Sequence, residues 1–354
     1  MLCCQNCFSD KTLKYIIKDE GTISTCNFCE SKDIYCVPPE SLGERFFSLV
    51  SLYSPVENFA TTEQISSNKG KYIWDQIHDD WKVFDKNLKD KRGELFKTIL
   101  SKQIAEGAFE LLEFPQFYKF PREEAKKLEE DWDGFSEEMK SHNRFFPSIQ
   151  IELNDLEYSL QYLEYLEHEV ESKTLFFRSR KSIEDKKYPP SKIGIPPAEK
   201  ARNGRANPVG IPYLYLASNL ETAISEIRPS LKDKVTVGRF KLLERISIID
   251  LRNVSPFQFV EDEDFEKLFS MIGYLNKLGT DLSKPVNPKG AELEYLPTQY
   301  LCEFIKSLGF DGVAYNSSLA NGHNLAIFRE GKLKCTRTEL YEIEKTTLLY
   351  EKCS

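Results

Sequence analysis

At 354 residues the chain is longer than one ordinary domain and predicts two or three. A hydrophobic share of 40% can build real cores, while a net charge of -8 argues against a general nucleic-acid binder, which needs a basic footprint. No run approaches the roughly 20 apolar residues of a membrane helix, and Met1-Leu2-Cys3-Cys4-Gln5 lacks a charged-then-apolar leader, so a cytoplasmic protein with reduced cysteines and no membrane partner is expected.

The first zone runs to about Val37 and holds six of the nine cysteines. Cys4-x2-Cys7 is followed, after eighteen residues, by Cys26-x2-Cys29. Two close pairs at this separation predict a four-thiolate zinc site, because each tight turn can aim two sulfurs at one tetrahedral centre. The segment is too small for a core of its own, so zinc would supply its folding energy as a structural clip. Cys3 and Cys36 are spares, and Cys3 could replace Cys4.

The second zone, from about Pro39 to Ser172, reads as a bundle of five or so helices. Apolar stripes at three-to-four spacing run through Phe46–Leu52, Tyr72–Phe84 and Leu95–Ile104. The charged stretch from Arg122 to Lys140 reads as a solvated helix face. Leu156, Leu160, Leu163 and Leu166 line a further helix ending near Val170. None of the four histidines has an arginine four to seven positions before it, which argues against RNA cleavage by an Arg-x4–6-His motif.

At Thr174 the character changes. Short β-rich runs appear at Leu175–Phe177, Tyr213–Leu216, Val235–Val237, Ile246–Ile249, Val313–Tyr315 and Leu325–Phe328. Helices fall between them, near Leu220–Ile227, Phe265–Leu278 and Thr298–Ser307, with Gly309 stopping the last. The expected fold class is therefore multidomain: a small zinc-ribbon-like segment at 1–38, an all-α helical bundle at 39–172 and an α+β domain at 173–354.

The third zone has no Gly-x-Gly-x-x-Gly and no Gly-x4-Gly-Lys, so neither a Rossmann fingerprint nor a P-loop is present. Arg178 and Arg180 sit two apart near the end of a hydrophobic strand. From Lys173 to Arg205 there are ten Lys or Arg against three Asp or Glu, closing on Gly204-Arg205-Ala206-Asn207-Pro208. Guanidinium forks grip phosphate oxygens, and small residues let backbone come close; a solvated basic loop is the alternative. Tyr213 and Tyr215 share one strand face, and Ser218-x-x-Glu221 reads as a capping box. The helix that follows carries Glu226 beside Ile224 and Ile227, as either a surface or a site residue. Thr298 reads as a helix cap.

Arg178-Ser179-Arg180, Gly204-Arg205-Ala206-Asn207-Pro208, Tyr215, Thr222-Ala223-Ile224-Ser225-Glu226, Tyr315-Asn316-Ser317-Ser318 and Asn324 together resemble the RES domain, over about residues 174–330. The cysteine-rich and helical parts resemble the extension of a longer branch whose helical part is HEPN-like. The resemblance implies a fold like diphtheria-type ADP-ribosyltransferases and cleavage of NAD at the nicotinamide–ribose bond. It also implies roles. Arg178 would hold the diphosphate, Arg205 would add to that grip, and Asn207 in the same loop would also contact NAD. Tyr215 would stack on nicotinamide or its ribose. Glu226 is the family's acidic residue, and Ser317 its serine, with Ser318 next to it leaving the register open.

Members of that family are mostly bacterial toxins or defence effectors that deplete NAD, and some transfer ADP-ribose to protein. The expected activity is thus NAD glycohydrolase or phosphorylase, with protein ADP-ribosyltransferase on the same site as the alternative. A zinc-dependent nucleic-acid-binding module built on Cys4, Cys7, Cys26 and Cys29 is a further reading, disfavoured by the acidic charge. Short members of the family pair with an antitoxin; this sequence carries no sign of one, and an antitoxin, a regulatory protein or a second copy of the chain stay open as partners. The segment between Ser255 and Glu294 is extra relative to short members.

Overall fold

The computed structural model describes residues 1–55, 71–105, 118–119, 123–149, 151, 153–167, 175–183, 185–285, 291–329 and 331–345. The chain divides into two compact units, Met1–Lys127 with Ser255–Ile272 and Leu128–Val254 with Gly273–Ser354. The sequence boundary near residues 172–174 lies outside the described residues.

Unit 1 begins with β1 (Cys3–Cys4), α1 (Lys11–Glu20), β2 (Thr22–Ser24) and β3 (Ile34–Val37). The strands form an antiparallel sheet in the order β1-β3-β2. Asp10 caps α1 by accepting from Leu13 N–H at 2.9 Å, which satisfies one of the donors a helix start leaves open. The apolar stripes then become α2 (Gly43–Ser51), α3 (Ile73–Trp81), α4 (Arg92–Ile99) and α5 (Ser101–Ala105), with a short β4 (Ser54–Pro55) paired to β5 (Tyr118–Lys119). Helices α2, α3 and α4 bury the faces their periodicity marks: Phe46, Leu49 and Val50, then Ile73 and Ile77, then Leu95, Phe96 and Ile99. The stripe does not carry into α5, where Ile104 is exposed and Gln103 is buried instead. Phe8, from the cysteine segment, packs its ring 6.2 Å from Phe46 and 5.9 Å from Phe84. Phe257 adds a ring 5.0 Å from Phe46. Cysteine segment and helices therefore share one aromatic core.

Helix α6 (Glu123–Ser141) lies mostly in unit 2 and is followed by α7 (Leu153–Gln161) and β6 (Glu164–Glu167). Trp132, on the apolar face of α6, is buried and donates from Nε1 to Asp281 Oδ2 at 2.8 Å. The helix expected to reach Val170 instead ends at Gln161, and residues 164–167 pair with a strand starting at Ile246. Strand pairing satisfies backbone groups that a lone helix end would leave open, and it overrides the leucine periodicity. Val170 itself lies outside the described residues.

The rest of unit 2 runs β7 (Leu175–Lys181), β8 (Leu214–Ala217), α8 (Leu220–Glu226), β9 (Lys234–Leu242), β10 (Ile246–Asp250), the part of α9 (Phe265–Ser283) from Gly273 onward, α10 (Ala291–Glu294), α11 (Leu296–Ser307), β11 (Gly312–Asn316), β12 (His323–Ile327) and β13 (Leu333–Glu342). Its sheet has eight strands in the order β13-β9-β7-β8-β12-β11-β10-β6. All neighbours are antiparallel except β10 and β11. The six expected strands are all present, and β13 is an addition. Phe176, Leu214, Leu216, Phe240, Ile248, Leu325 and Ile327 form the main core. Ile224 and Ile227 of the α8 region pack on a smaller cluster of Val235, Val237 and Ile343. Gly309 ends α11 with φ at +98°, a conformation that costs glycine little. Among the described residues no helix is long and apolar enough to cross a membrane.

Candidate active site

Strand β7 and helix α8 bring the polar residues of unit 2 to one cavity of about 300 Å³. Arg178 and Ser179 enter from β7, Tyr215 from β8, Glu226 from the last turn of α8, and Arg205 from the loop before β8. Phe177, Tyr295, Tyr315 and Asn324 complete the polar and aromatic lining.

Glu226 is oriented by two donors on one oxygen. Ser317 Oγ donates to Oε1 at 2.7 Å and Asn324 Nδ2 donates to the same atom at 2.6 Å. Among the described residues nothing donates to Oε2, which leaves that oxygen to the cavity. Ser318, next in the chain, is exposed and does not line the cavity. Of the two serines left open by the sequence, Ser317 is the one in contact with Glu226.

Arg178 is the opposite case. Its Nη1 is buried with no hydrogen-bond partner, and among the described residues no carboxylate pairs with it. Burial, with the neighbouring Arg180 cation, pushes its pKa down to about 10. A buried unpaired cation is costly, and an anion in the cavity would offset that cost. Ser179 Oγ is also buried, without a partner, beside it. Arg180, although two residues on, does not line the cavity: it is exposed, donates to the Lys192 carbonyl at 2.6 Å and lies 5.2 Å over the Tyr188 ring.

The loop from Arg202 to Ile211 is held from within. Asn207 is buried and donates from Nδ2 to the carbonyls of Arg202, Pro208 and Ile211 at 2.9–3.0 Å. Its Oδ1 accepts from the Tyr215 hydroxyl at 2.7 Å, and that hydroxyl accepts from Ala206 N–H at 3.1 Å. Asn207 therefore shapes the loop and is not among the cavity's lining residues, while Tyr215 lines the cavity with its hydroxyl tied into the loop. Burial pushes the Tyr215 and Tyr315 hydroxyls above their ordinary range. A Cβ on Gly204 would come within 2.5 Å of both Tyr215 Oη and Asn207 Oδ1, so its small size serves this internal contact. Arg205 lines the cavity, yet its Nη1 donates to the carbonyls of Leu282 and Lys284 at the C-terminal end of α9, where the helix dipole favours a cation.

Helix α11 fastens the same loop. Thr298 does not cap it: the cap position is Tyr295, and Thr298 Oγ1 donates to the Arg205 carbonyl at 2.6 Å. Gln299 Nε2 donates to the carbonyls of Gly204 at 2.8 Å and Asn207 at 3.0 Å. On α8 the cap is Asn219, accepting from Thr222 N–H at 2.8 Å, rather than Ser218, which accepts from His323 N–H at 3.0 Å. The sequence names Ser179, Tyr315 and Asn324 only as residues of the RES resemblance, without a role, and does not mark Tyr295. The available signal was Asn324, a polar residue opening a hydrophobic strand.

In unit 1, Cys4, Cys7, Cys26 and Cys29 meet with all four sulfurs within 4.8 Å of one another. Zinc–sulfur bonds of about 2.3 Å in a tetrahedron put sulfurs about 3.8 Å apart. Three of the pairs here are 3.3 Å apart for Cys4–Cys29, 3.4 Å for Cys7–Cys26 and 4.0 Å for Cys4–Cys7, so the cluster could hold a metal ion. Phe28 and Cys29 N–H each lie 3.4 Å from Cys26 Sγ, which favours its thiolate. Cys3 and Cys36 stay outside the four.

A family model described as RES domain matches residues 180–344, and one described as HEPN/RES N-terminal domain 1 matches residues 19–151. A chain in the crystal structure of the M. tuberculosis MbcT–MbcA toxin–antitoxin complex matches at 11% identity and a TM-score of 0.30, over 53% of this chain and 92% of that one. No curated protein matches.

Proposed function

We propose, for a chain that belongs to the RES-domain family and carries a HEPN/RES N-terminal domain ahead of its RES domain, that the cavity between Arg178 and Glu226 binds NAD and cleaves its nicotinamide–ribose bond. The observation that carries this reading is the pairing, in one cavity, of a guanidinium whose buried Nη1 has no partner among the described residues and a carboxylate whose second oxygen receives no donor among them. NAD supplies what each lacks: a diphosphate for Arg178 and a developing positive carbon for Glu226. In this reading Arg205 adds its remaining N–H groups to the diphosphate grip, the Tyr215 ring stacks on nicotinamide or its ribose, and Ser317 and Asn324 position Glu226. Asn207 and Ser318 have no direct part.

The C1–N bond breaks with both electrons going to the pyridinium nitrogen, so nicotinamide leaves neutral. The ribose becomes oxocarbenium-like, as in glycoside cleavage. Glu226 Oε2 stabilises that charge. Water then bonds to C1 and loses a proton, giving ADP-ribose; phosphate or a protein side chain would give the phosphorylated or protein-linked product. Incubation of the purified chain with NAD, with and without phosphate, followed by mass analysis tests this. Release of nicotinamide is expected, and the mass of the ADP-ribose product identifies the acceptor. Absence of nicotinamide from both incubations sinks the reading.

The same proposal takes an ADP-ribosyltransferase-like fold for residues 173–354, a helical HEPN-like part at 39–172 and a zinc clip at 1–38, in a toxin or defence protein. Cys4, Cys7, Cys26 and Cys29 would hold the zinc, whose contribution is structural: a cross-link between two turns that carry no core of their own.

A further inference from the structure

A second cavity is lined by other residues of the same sheet. On β8, Tyr215 lines the cavity that holds Arg178 and Glu226, while Leu214 lines a separate one of about 460 Å³. That volume falls within the range of small-molecule sites, about 300–1,000 Å³. Its walls are apolar at Ile195, Leu214, Phe240 and Leu333, side chains that belong to or pack against the main core. Its rim carries Arg329 and Lys334, both exposed, and among the described residues neither is paired with a carboxylate. Two unpaired cations at an apolar mouth stand out on a chain of net charge -8.

We propose that this cavity is a binding site for a small free amphiphilic anion, a carboxylic acid with an apolar body. The body would cover Leu214 and Phe240, recovering the hydrophobic gain that a water-filled apolar cavity forgoes. The carboxylate would meet Arg329 and Lys334 at the mouth, where a charge-assisted contact needs little desolvation of the exposed cations. The proposal is independent of the NAD reading, because Arg329, Lys334 and Gly194 do not line the Glu226 cavity.

Two features make it testable without disturbing the fold. Cys335 lines the cavity and is half-buried, so its alkylation reports occupancy. Gly194 also lines it, and a Cβ added there meets no atom within 4 Å, so Gly194→Phe can fill the space without a clash. The probe is decanoate, titrated calorimetrically into the full chain, with iodoacetamide labelling of Cys335 followed by mass analysis. Binding of one decanoate per chain and slower Cys335 alkylation are expected. Gly194→Phe should abolish binding with an unchanged unfolding midpoint, and the Arg329→Glu, Lys334→Glu double variant should weaken it by about tenfold or more, a difference of about 1.4 kcal/mol. Decanol, with the same body and no charge, should bind at least as weakly as decanoate binds that double variant. No binding and no protection of Cys335 overturns the site; unchanged affinity in Gly194→Phe overturns its location; equal affinity for decanol and decanoate overturns the anion.

Discussion

At Glu226 both hydrogen bonds land on Oε1, from Ser317 and Asn324. A glutamine can offer its carbonyl oxygen to the same two donors, so Glu226→Gln should keep the fold. What it removes is the charge on the other oxygen. Loss of one preorganised electrostatic partner costs on the order of 10²- to 10³-fold in rate, so nicotinamide release at saturating NAD should fall by that much. A variant retaining more than about a tenth of the wild-type rate removes Glu226 from the chemistry. Arg178 should behave differently, because an unpaired buried cation is a burden to the free protein. Its pKa of about 10 lies below the ordinary 12.5. The folded chain therefore binds fewer protons than the unfolded one between those two pH values, and stability rises with pH across that window. Below about pH 10 the charged group is a net cost. Arg178→Met should raise the unfolding midpoint, by roughly 2–4 °C per kcal/mol recovered, while abolishing stabilisation by added NAD. Thermal melts with and without NAD check both halves; a lowered midpoint and intact NAD stabilisation would show that the guanidinium has another partner.

Helix α11 links element to site. Its first turn spends Thr298 and Gln299 on the loop that carries Arg205, and its own start is left to Pro297 and Tyr295. Gln299→Ala leaves the Gly204 and Asn207 carbonyls without that donor, which costs about 1–3 kcal/mol where such groups are buried. The expected outcome is a lower unfolding midpoint and a higher KM for NAD with kcat changed less, since the loop positions substrate and touches no reacting atom. Steady-state nicotinamide release with circular dichroism melts measures it. A change confined to kcat would mean that Gln299 acts on the chemistry. Elements also explain where local reading stops. Residues 164–167 look helical because the leucines continue at helical spacing, yet they pair with β10. Strand β13 reads polar because it is an edge strand, with Lys334, Thr336 and Arg337 facing solvent.

At the scale of the whole molecule, the cysteine cluster is expected to carry about one zinc per chain, measurable by metal analysis of protein purified without chelator. Phe8 sits in the same aromatic core as Phe46 and Phe84, so metal loss should propagate beyond the first 38 residues. Cys26→Ser is expected to lower the unfolding midpoint and to abolish zinc retention, and a strong chelator should reproduce the shift in the wild type. Zinc-free protein with an unshifted midpoint would leave the four thiols as an ordinary buried cluster.

By itself the sequence determined what short-range spacing encodes. Two Cys-x2-Cys pairs mark a four-sulfur cluster because two residues between ligands suffice for a tight turn. Alternating apolar residues mark six strands, while Arg178, Tyr215 and Glu226 take site roles only from the resemblance to the RES domain, since local pattern leaves Glu226 as either a surface or a site residue. The tertiary structure decided everything that rests on distant partners. Ser317 and Asn324 reach Glu226 across 91 and 98 positions, and Gln299 reaches Gly204 across 95. Asn207, read as a ligand contact, turned inward because three carbonyls and the Tyr215 hydroxyl close around it. The second cavity likewise exists only where β8, β9 and β13 bring Leu214, Phe240 and Leu333 onto one sheet face. No local pattern encodes such meetings, because they depend on the register and order of strands far apart in the chain.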